Sequence, residues 1–248
     1  MTDILSPTAI RRTVAFSQAI VLGETKVEDI AARRAGTPEE ARALLQEDVI
    51  PVLPDPEGTC IPVLHPDAVV DAILAKRNLG TRRDMAPITV ALGPGFAAGR
   101  DVDAVIETMR GHNLGRIFYQ GAALPNTGVP GNIGGYTGER VIHAPADGAL
   151  TCVQDAAGQK VGIGSVVEKG QVIARVGGTP VYATLTGVLR GLIRPGYPVT
   201  ESLKIADIDP RLAQRDNCGT ISDKARCIAG GVLEAVLHLA REREVMLF

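Results

Sequence analysis

The order of apolar and polar positions between residues 88 and 119 predicts the central unit of the chain. An apolar run of strand length, 88–92, is followed by a glycine-rich loop, 93–99. Apolar residues then recur at helical spacing, at Val102, Val105, Ile106 and Met109, before a second apolar run at 116–119. Strand, helix and strand in this order predict a β-α-β unit that buries a pair of parallel strands.

Elsewhere in the chain, short sequence motifs predict individual helices and strands. Ser6 and Thr37 each precede a proline and so predict the starts of two helices. Apolar runs predict strands at 49–53 and at 68–74, the second as a buried strand of a parallel sheet. Asp71 interrupts that run. Because an unpaired buried carboxylate is costly, we expect it at the strand end or beside a hydrogen-bond donor.

The last predicted helix begins near Ser222, where the sequence resembles a capping box, and carries an apolar stripe towards Leu239. Gly230 and Gly231 lie inside this helix, and each costs about 1 kcal/mol relative to alanine. We therefore expect another backbone or a ligand to approach the helix closely at these glycines.

Two segments of the chain repeat. Residues 142–150 match 181–189, and residues 164–176 match 196–208. Two copies are too few for a solenoid, so they predict two interlocking β-halves related by a pseudo-twofold axis. The pattern resembles biotinyl and lipoyl domains, but the hairpin at 177–180 has no lysine, which excludes a swinging-arm carrier.

These elements predict an α/β protein with two domains and a C-terminal helix. Residues 1–138 are expected to form a Rossmann-like parallel sheet domain, and residues 139–210 a small, lysine-less biotinyl/lipoyl-like β-barrel made of two half-repeats. Residues 211–248 are expected to provide a helix that packs back on the α/β domain.

Glycines and cations near the first parallel strands are the main candidate ligand contacts. Lys76 and Arg77 open a loop that also holds Arg82 and Arg83, and this set suits a phosphate, a carboxylate or a pterin head group. The next loop contains the glycines Gly93, Gly95 and Gly99. Those glycines suit either a tight turn or a ligand-contacting loop, because Asp101, the expected helix N-cap, and Asp103 in the first turn disfavour phosphate there.

Further candidates lie outside these two loops. The long loop at 121–135 contributes Asn126 and Asn132, and the first predicted helix contributes Arg11 and Arg12. His112 is placed at the end of the predicted central helix, where it is a weak candidate for a general acid or base. Each of these residues also has a purely structural interpretation, and the sequence leaves both open.

Composition narrows the function classes. The formal net charge is −2 with both signs mixed, which argues against a nucleic-acid partner. No apolar run approaches the ~20 residues of a membrane span, and no signal-peptide pattern is present, so we expect a cytoplasmic protein. The four cysteines show no zinc-finger spacing; no metal site is predicted, and buried thiols in a reducing compartment are expected.

Several long motifs in the same order carry a family resemblance. They cover residues 7–17, 70–81, 91–108, 130–136, 221–225 and 230–234. With these motifs the chain resembles the YqeB-type accessory proteins of selenium-dependent molybdenum hydroxylases. Such proteins typically begin with a strand and a Gly-x-Gly-Asp Rossmann loop. No such stretch precedes Pro7 in this sequence, so either the sequence starts after that loop or the protein lost it, and dinucleotide binding by that route is not expected.

The resemblance implies a factor that helps to mature xanthine-dehydrogenase-like enzymes. It would bind the molybdenum cofactor, or a selenium-loaded form of it, between the α/β domain and the barrel. Its partners would be the molybdenum hydroxylase apoenzyme and other selenium or molybdenum maturation proteins, with a homo-oligomer left open. Two alternatives also stay open: a nucleotide-binding oxidoreductase or transferase, and a scaffold that docks partner proteins. Whether the chain is an enzyme is not decided.

Overall fold

The computed structural model describes residues 1–247, which form short strands and four α-helices. The strands, in chain order, are β1 (Thr2–Asp3), β2 (Glu24–Val27), β3 (Ile30–Arg34), β4 (Ile50–Pro54), β5 (Ala68–Asp71), β6 (Ile88–Leu92), β7 (Ala104–Ile106), β8 (Ile117–Phe118), β9 (Val141–His143), β10 (Gly148–Cys152), β11 (Val166–Val167), β12 (Val172–Val176), β13 (Thr179–Tyr182), β14 (Gly187–Leu192), β15 (Pro198–Val199) and β16 (Lys204–Asp209). The α-helices are α1 (Gln18–Leu22), α2 (Pro38–Leu45), α3 (Ile61–Leu64) and α4 (Asp223–Glu242). In the part of the chain that the structure describes, no helix combines the length and apolarity that a membrane span needs.

The chain folds into two compact units, each made from two segments. The first unit contains residues 1–56 and 129–221, and the second contains residues 57–128 and the segment that begins at Ser222. The domain boundaries predicted from the sequence remain a prediction. The mixed α/β class with parallel strands and a C-terminal helix is confirmed.

The N-terminal part of the first unit is a four-stranded sheet in the order β1-β4-β3-β2. Strands β1 and β3 both run parallel to β4, and α2 connects β3 to β4, so this segment contains a β-α-β unit. Helix α2 begins as predicted, because the Thr37 hydroxyl accepts a hydrogen bond from the Glu40 N–H at 3.2 Å.

The helix predicted from Ser6 is wrong. The first helical turn is a 3₁₀ segment at Arg12–Val14, and residues 4–11 form neither helix nor strand. This segment is bonded to the repeat-containing part of the same unit: the Leu192 N–H donates to the Ile10 carbonyl at 2.8 Å, and Arg194 Nη2 donates to Ser6 Oγ at 2.6 Å. Tertiary hydrogen bonds therefore override the local capping signal.

The repeated segments form two four-stranded sheets, in the orders β13-β12-β10-β15 and β9-β16-β14-β11. Exchanging each strand for its repeat partner converts the first order into the second. Each sheet thus contains strands of both copies, and the predicted interlocking of the two halves is confirmed. Their common core contains buried aliphatic residues from both copies, among them Leu150, Ile173, Leu189, Ile205 and Ile208.

The second unit is organised around a sheet in the order β5-β6-β7-β8, in which β5, β6 and β7 are parallel and β8 is antiparallel. The helix predicted over 102–109 is wrong, because Ala104–Ile106 is a strand paired with β6. All residues from Val102 to Thr108 are buried, which suits a short central strand and leaves no exposed face for a helix. Asp101 and Asp103 therefore cap no helix.

Helix α4 packs on β6 and β7 through Ile228, Ala235 and Leu239. Its start is confirmed, since the Ser222 hydroxyl accepts a hydrogen bond from the Ala225 N–H at 3.2 Å. The expected close approach is confirmed for Gly231 and is wrong for Gly230, where an added Cβ would have open space. A Cβ added to Gly231 would overlap the carbonyl oxygen of Gly115.

Candidate functional site

The loops that follow β5, β6 and β7 meet at the carboxyl edge of the parallel sheet in the second unit. A Cβ added to Gly95 would lie 2.6 Å from both the backbone N and Cα of Arg77. A Cβ added to Gly93 would lie 2.6 Å from Thr108 Oγ1. Both glycines also have positive φ, so side chains are excluded there by space and by backbone conformation. The glycine loop is thus in backbone contact with the basic loop, and it touches the segment after β7.

Internal hydrogen bonds hold the basic loop in place. Asp71, at the end of β5, accepts hydrogen bonds from the Ile73 N–H at 3.0 Å and from the Thr81 hydroxyl at 2.5 Å. Both expectations for this carboxylate are therefore confirmed. Asn78 accepts from the N–H groups of Gly80 and Thr81 at 2.8 Å. Lys76 and Arg77 lie in the part of the loop between these anchors, and both are exposed.

Glu107 organises the segment after β7. Its buried carboxylate accepts backbone hydrogen bonds from Thr108 at 2.8 Å, from Met109 at 2.7 Å and from Leu124 at 2.8 Å. With both oxygens engaged, this carboxylate serves to fix two loops at the edge of the sheet. Its negative charge also remains close to the cations that gather there.

Two cations that the sequence analysis did not select join this edge. Arg110 forms a bidentate ion pair with Asp223 at the start of α4, with distances of 2.8 and 3.0 Å. Lys224 follows on the helix and is half-buried. Burial lowers its pKa, the charges of Arg110 and Lys76 lower it further, and Glu107 and Asp223 oppose that shift. The carboxyl-edge cluster is defined as Lys76, Arg77, Arg110 and Lys224.

This cluster has the chemistry of an anion site. Four cations share the edge with three carboxylates. Asp71 and Glu107 accept hydrogen bonds from neighbouring loop residues, and Asp223 is paired with Arg110. Lys76, Arg77 and Lys224 have no carboxylate hydrogen-bonded to them in the described residues. Ligands of α/β proteins usually bind at the carboxyl ends of parallel strands, so a phosphate or carboxylate group suits this position.

The remaining predicted residues of the second unit lie outside the cluster as defined. Gly99 has positive φ and only the Tyr119 carbonyl, 3.8 Å away, near an added Cβ, as in an ordinary tight turn. Asn126 is exposed and accepts a hydrogen bond from the Gly128 N–H at 3.3 Å. His112 is exposed in a turn after β7. Its predicted place at a helix C-terminus is wrong, because no helix ends there.

Arg11, Arg12 and Asn132 belong to the first unit, where local bonds engage them. Arg12 Nε donates to the Leu192 carbonyl at 2.7 Å, and Arg11 Nη2 donates to the Asn217 carbonyl at 3.3 Å. Burial lowers the pKa of both guanidinium groups. Asn132 accepts from the Gly135 N–H at 3.1 Å. The two arginines attach the N-terminal segment, and ligand binding by any of the three stays a prediction.

The cysteines differ in burial. Cys60 and Cys218 are buried, and Cys152 is partly buried. Cys227 is exposed, so the expectation of buried thiols is wrong for this residue. Its thiol donates to the Leu114 carbonyl at 3.1 Å. Burial raises the pKa of the Cys218 thiol, which disfavours the reactive thiolate.

The chain is similar to a protein of Escherichia coli strain K12 described as "Uncharacterized protein YqeB". The two sequences are 50% identical over 242 residues, which make up 98% of this chain and 43% of the relative. The chain therefore spans less than half the length of the curated relative it matches. No protein-family model matches the chain, and no solved structure matches it. The YqeB-type resemblance identified from the motifs is confirmed by this identity.

Proposed function

With the similarity to YqeB as the premise, we propose that the chain is an accessory factor in the maturation of selenium-dependent, xanthine-dehydrogenase-like molybdenum hydroxylases. Its ligand is the molybdenum cofactor or a selenium-loaded form of it. It acts in the cytoplasm on the hydroxylase apoenzyme, alongside other selenium and molybdenum maturation proteins. The name of the relative assigns no activity, so this function rests on the motif resemblance and on the carboxyl-edge cluster.

The single observation that supports ligand binding is the meeting of three loops at one sheet edge. Gly95 brings the glycine loop against the backbone of Arg77, and the Glu107 carboxylate fixes the next segment. Lys76, Arg77 and Lys224 then supply positive charge for the phosphate and other anionic groups of a pterin cofactor. In this proposal the sheet acts as a Rossmann-like ligand platform.

The repeat-containing part of the first unit has a different part in the proposal. Its two interlocked halves suit a biotinyl/lipoyl-like barrel, and its β12–β13 hairpin turns at Gly177 and Gly178, which both have positive φ. Because no lysine occupies that turn, the barrel serves to hold a partner protein or to line a site and carries no swinging arm.

A calorimetric titration under anaerobic conditions tests the proposal. Purified chain is titrated with molybdenum cofactor and, in parallel, with NAD, NADP and ATP. We expect a Kd in the micromolar range for the cofactor alone, about −8 kcal/mol. Binding of a nucleotide instead would favour the oxidoreductase or transferase alternative. Binding of none of them would leave the scaffold alternative.

Two double variants assign the binding to the cluster. Lys76→Ala with Lys224→Ala should weaken cofactor binding at least tenfold, because each lost charged hydrogen bond costs about 1.5–3 kcal/mol. Lys26→Ala with Lys169→Ala removes the same net charge from exposed positions of the first unit and should leave the Kd unchanged. Equal weakening by both pairs would mean that net charge alone, and not this edge, attracts the ligand.

A further inference from the structure

Strand β5 leaves one edge of the second unit's sheet without a neighbour. It is the terminal strand of the order β5-β6-β7-β8. The Ile88 N–H donates to the Asp67 carbonyl at 3.1 Å, so by the alternation of a parallel ladder Ala68 and Val70 direct their backbone groups away from β6. Within residues 1–247 these outward groups have no backbone partner. The edge can therefore accept another strand.

Exposed apolar side chains continue from this edge into the loop that follows. Val70 is 40% exposed, Ile73 61%, Leu74 43% and Leu79 54%. These four residues define the β5 edge patch. Several exposed apolar side chains within one short segment are typical of interaction sites, whereas a single exposed leucine is not.

The charged residues that follow β5 in the chain indicate the charge of the partner. Residues 72–83 contain four cations and no carboxylate; among the described residues Arg82 is paired with Asp84 and Arg83 with Asp103, so Lys76 and Arg77 supply the unpaired positive charge. A positively charged border of this kind attracts acidic partners and repels basic ones. Strand addition by an extended peptide uses main-chain hydrogen bonds for affinity and alternate side chains for specificity.

We propose that the β5 edge patch binds an extended, acidic segment of a partner protein, which pairs with β5 and places apolar side chains on Ile73 and Leu79. This inference adds a second ligand to the one proposed for the carboxyl-edge cluster, and the two ligands share the cations Lys76 and Arg77. The two can be separated, because the Ile73→Ser/Leu79→Ser variant should lose the peptide while keeping the affinity for the cofactor.

Fluorescence anisotropy with defined peptides tests the proposal. The probe is a labelled eight-residue peptide of alternating valine and glutamate. Its controls are the same peptide methylated at alternate backbone nitrogens, and a peptide of alternating valine and lysine. We expect saturable binding of the glutamate peptide and at least tenfold weaker binding of both controls.

Variants then assign the binding to β5. Ile73→Ser/Leu79→Ser should weaken the binding of the glutamate peptide at least tenfold. Val70→Pro removes an outward N–H and should abolish that binding. Leu22→Ser, at an exposed apolar position of the first unit, is the matched control and should change nothing. Equal binding of the lysine or methylated peptide would overturn the proposal, as would no binding of any peptide. A concentration-dependent dimer that Val70→Pro abolishes would overturn it too, since a second copy would then occupy the edge.

Discussion

Asp103 is the residue whose replacement should most clearly weaken the second unit. It is buried, and Arg243 binds it bidentately at 2.7 and 2.8 Å, while Arg83 Nε donates at 2.5 Å. Its carboxylate also accepts from the N–H and hydroxyl of Thr89 at 2.9 and 3.0 Å. One carboxylate thus connects the end of α4 to the strand ladder. Asp103→Asn keeps the shape of the side chain and removes its charge.

The size of the effect follows from the pKa. Burial alone would raise the pKa of Asp103, but the hydrogen bonds from Arg243, Arg83 and Thr89 lower it from the ordinary 3.8 to about 2. One pKa unit corresponds to about 1.4 kcal/mol, so the charged form stabilises the fold by about 2 kcal/mol. Because the folded pKa is depressed, this stability is fully present above pH 4. It is lost as the pH falls through 2.

Hydrogen exchange followed by mass spectrometry measures this effect within the second unit. Peptides that cover β6 and α4 should exchange about thirtyfold faster in Asp103→Asn than in the parent at pH 6, which corresponds to about 2 kcal/mol. The ratio should shrink as the pH is lowered from 4 to 2. Asp84→Asn, which breaks an exposed pair with Arg82 at 3.0 Å, is the control and should change exchange little. Equal effects of the two variants, or a ratio that does not depend on pH, would refute the argument.

Two further substitutions test packing and buried charge, with urea unfolding as the measurement. Gly231→Ala should destabilise the chain by at least about 1 kcal/mol, because the added Cβ would overlap the Gly115 carbonyl. Gly230→Ala places its Cβ in open space and should be neutral or stabilising by up to about 1 kcal/mol. Equal effects of the two substitutions would contradict the close approach at Gly231. Arg140→Met leaves the buried Asp207, 3.2 Å away, without its partner and should cost about 3–5 kcal/mol near neutral pH and less in acid, where Asp207 is protonated. Adding Asp207→Asn should restore most of that loss, and no restoration would contradict the pairing.

The parts of the fold that could be predicted depend either on neighbours in sequence or on the internal repeat. Thr37 and Ser222 cap their helices because the hydroxyl and the N–H it accepts are three residues apart. The repeat predicted the two interlocked halves because both copies carry the same spacing of apolar residues and glycines. For the caps, a short stretch of chain already contains the interaction that determines the structure. The repeat was informative for another reason: similar segments fold alike, even though the strands that pair, such as β9 and β16, lie far apart in the chain.

The errors occurred where distant segments determine the structure. The apolar residues from Val102 to Met109 suit a helix face or a buried strand equally, and only pairing with β6 selects the strand. The segment after Ser6 has a valid helix start, but its carbonyl at Ile10 and its arginines are bonded to residues 180 or more positions away. Local propensity is a weak signal against several such bonds.

The residues of the candidate site also divide into those that could be predicted from the sequence and those that could not. Lys76 and Arg77 could be inferred because they follow a predicted parallel strand, and the carboxyl ends of such strands meet at one edge. Lys224 could not, since it stands more than a hundred residues further along the chain and reaches the edge only through the packing of α4 on β6 and β7. Its nearest sequence signal is the Ser222 cap, which fixes where the helix begins and not where it packs. For a site at a sheet edge, the sequence therefore predicts only those residues that lie on the strands of the sheet or on the loops that directly follow them.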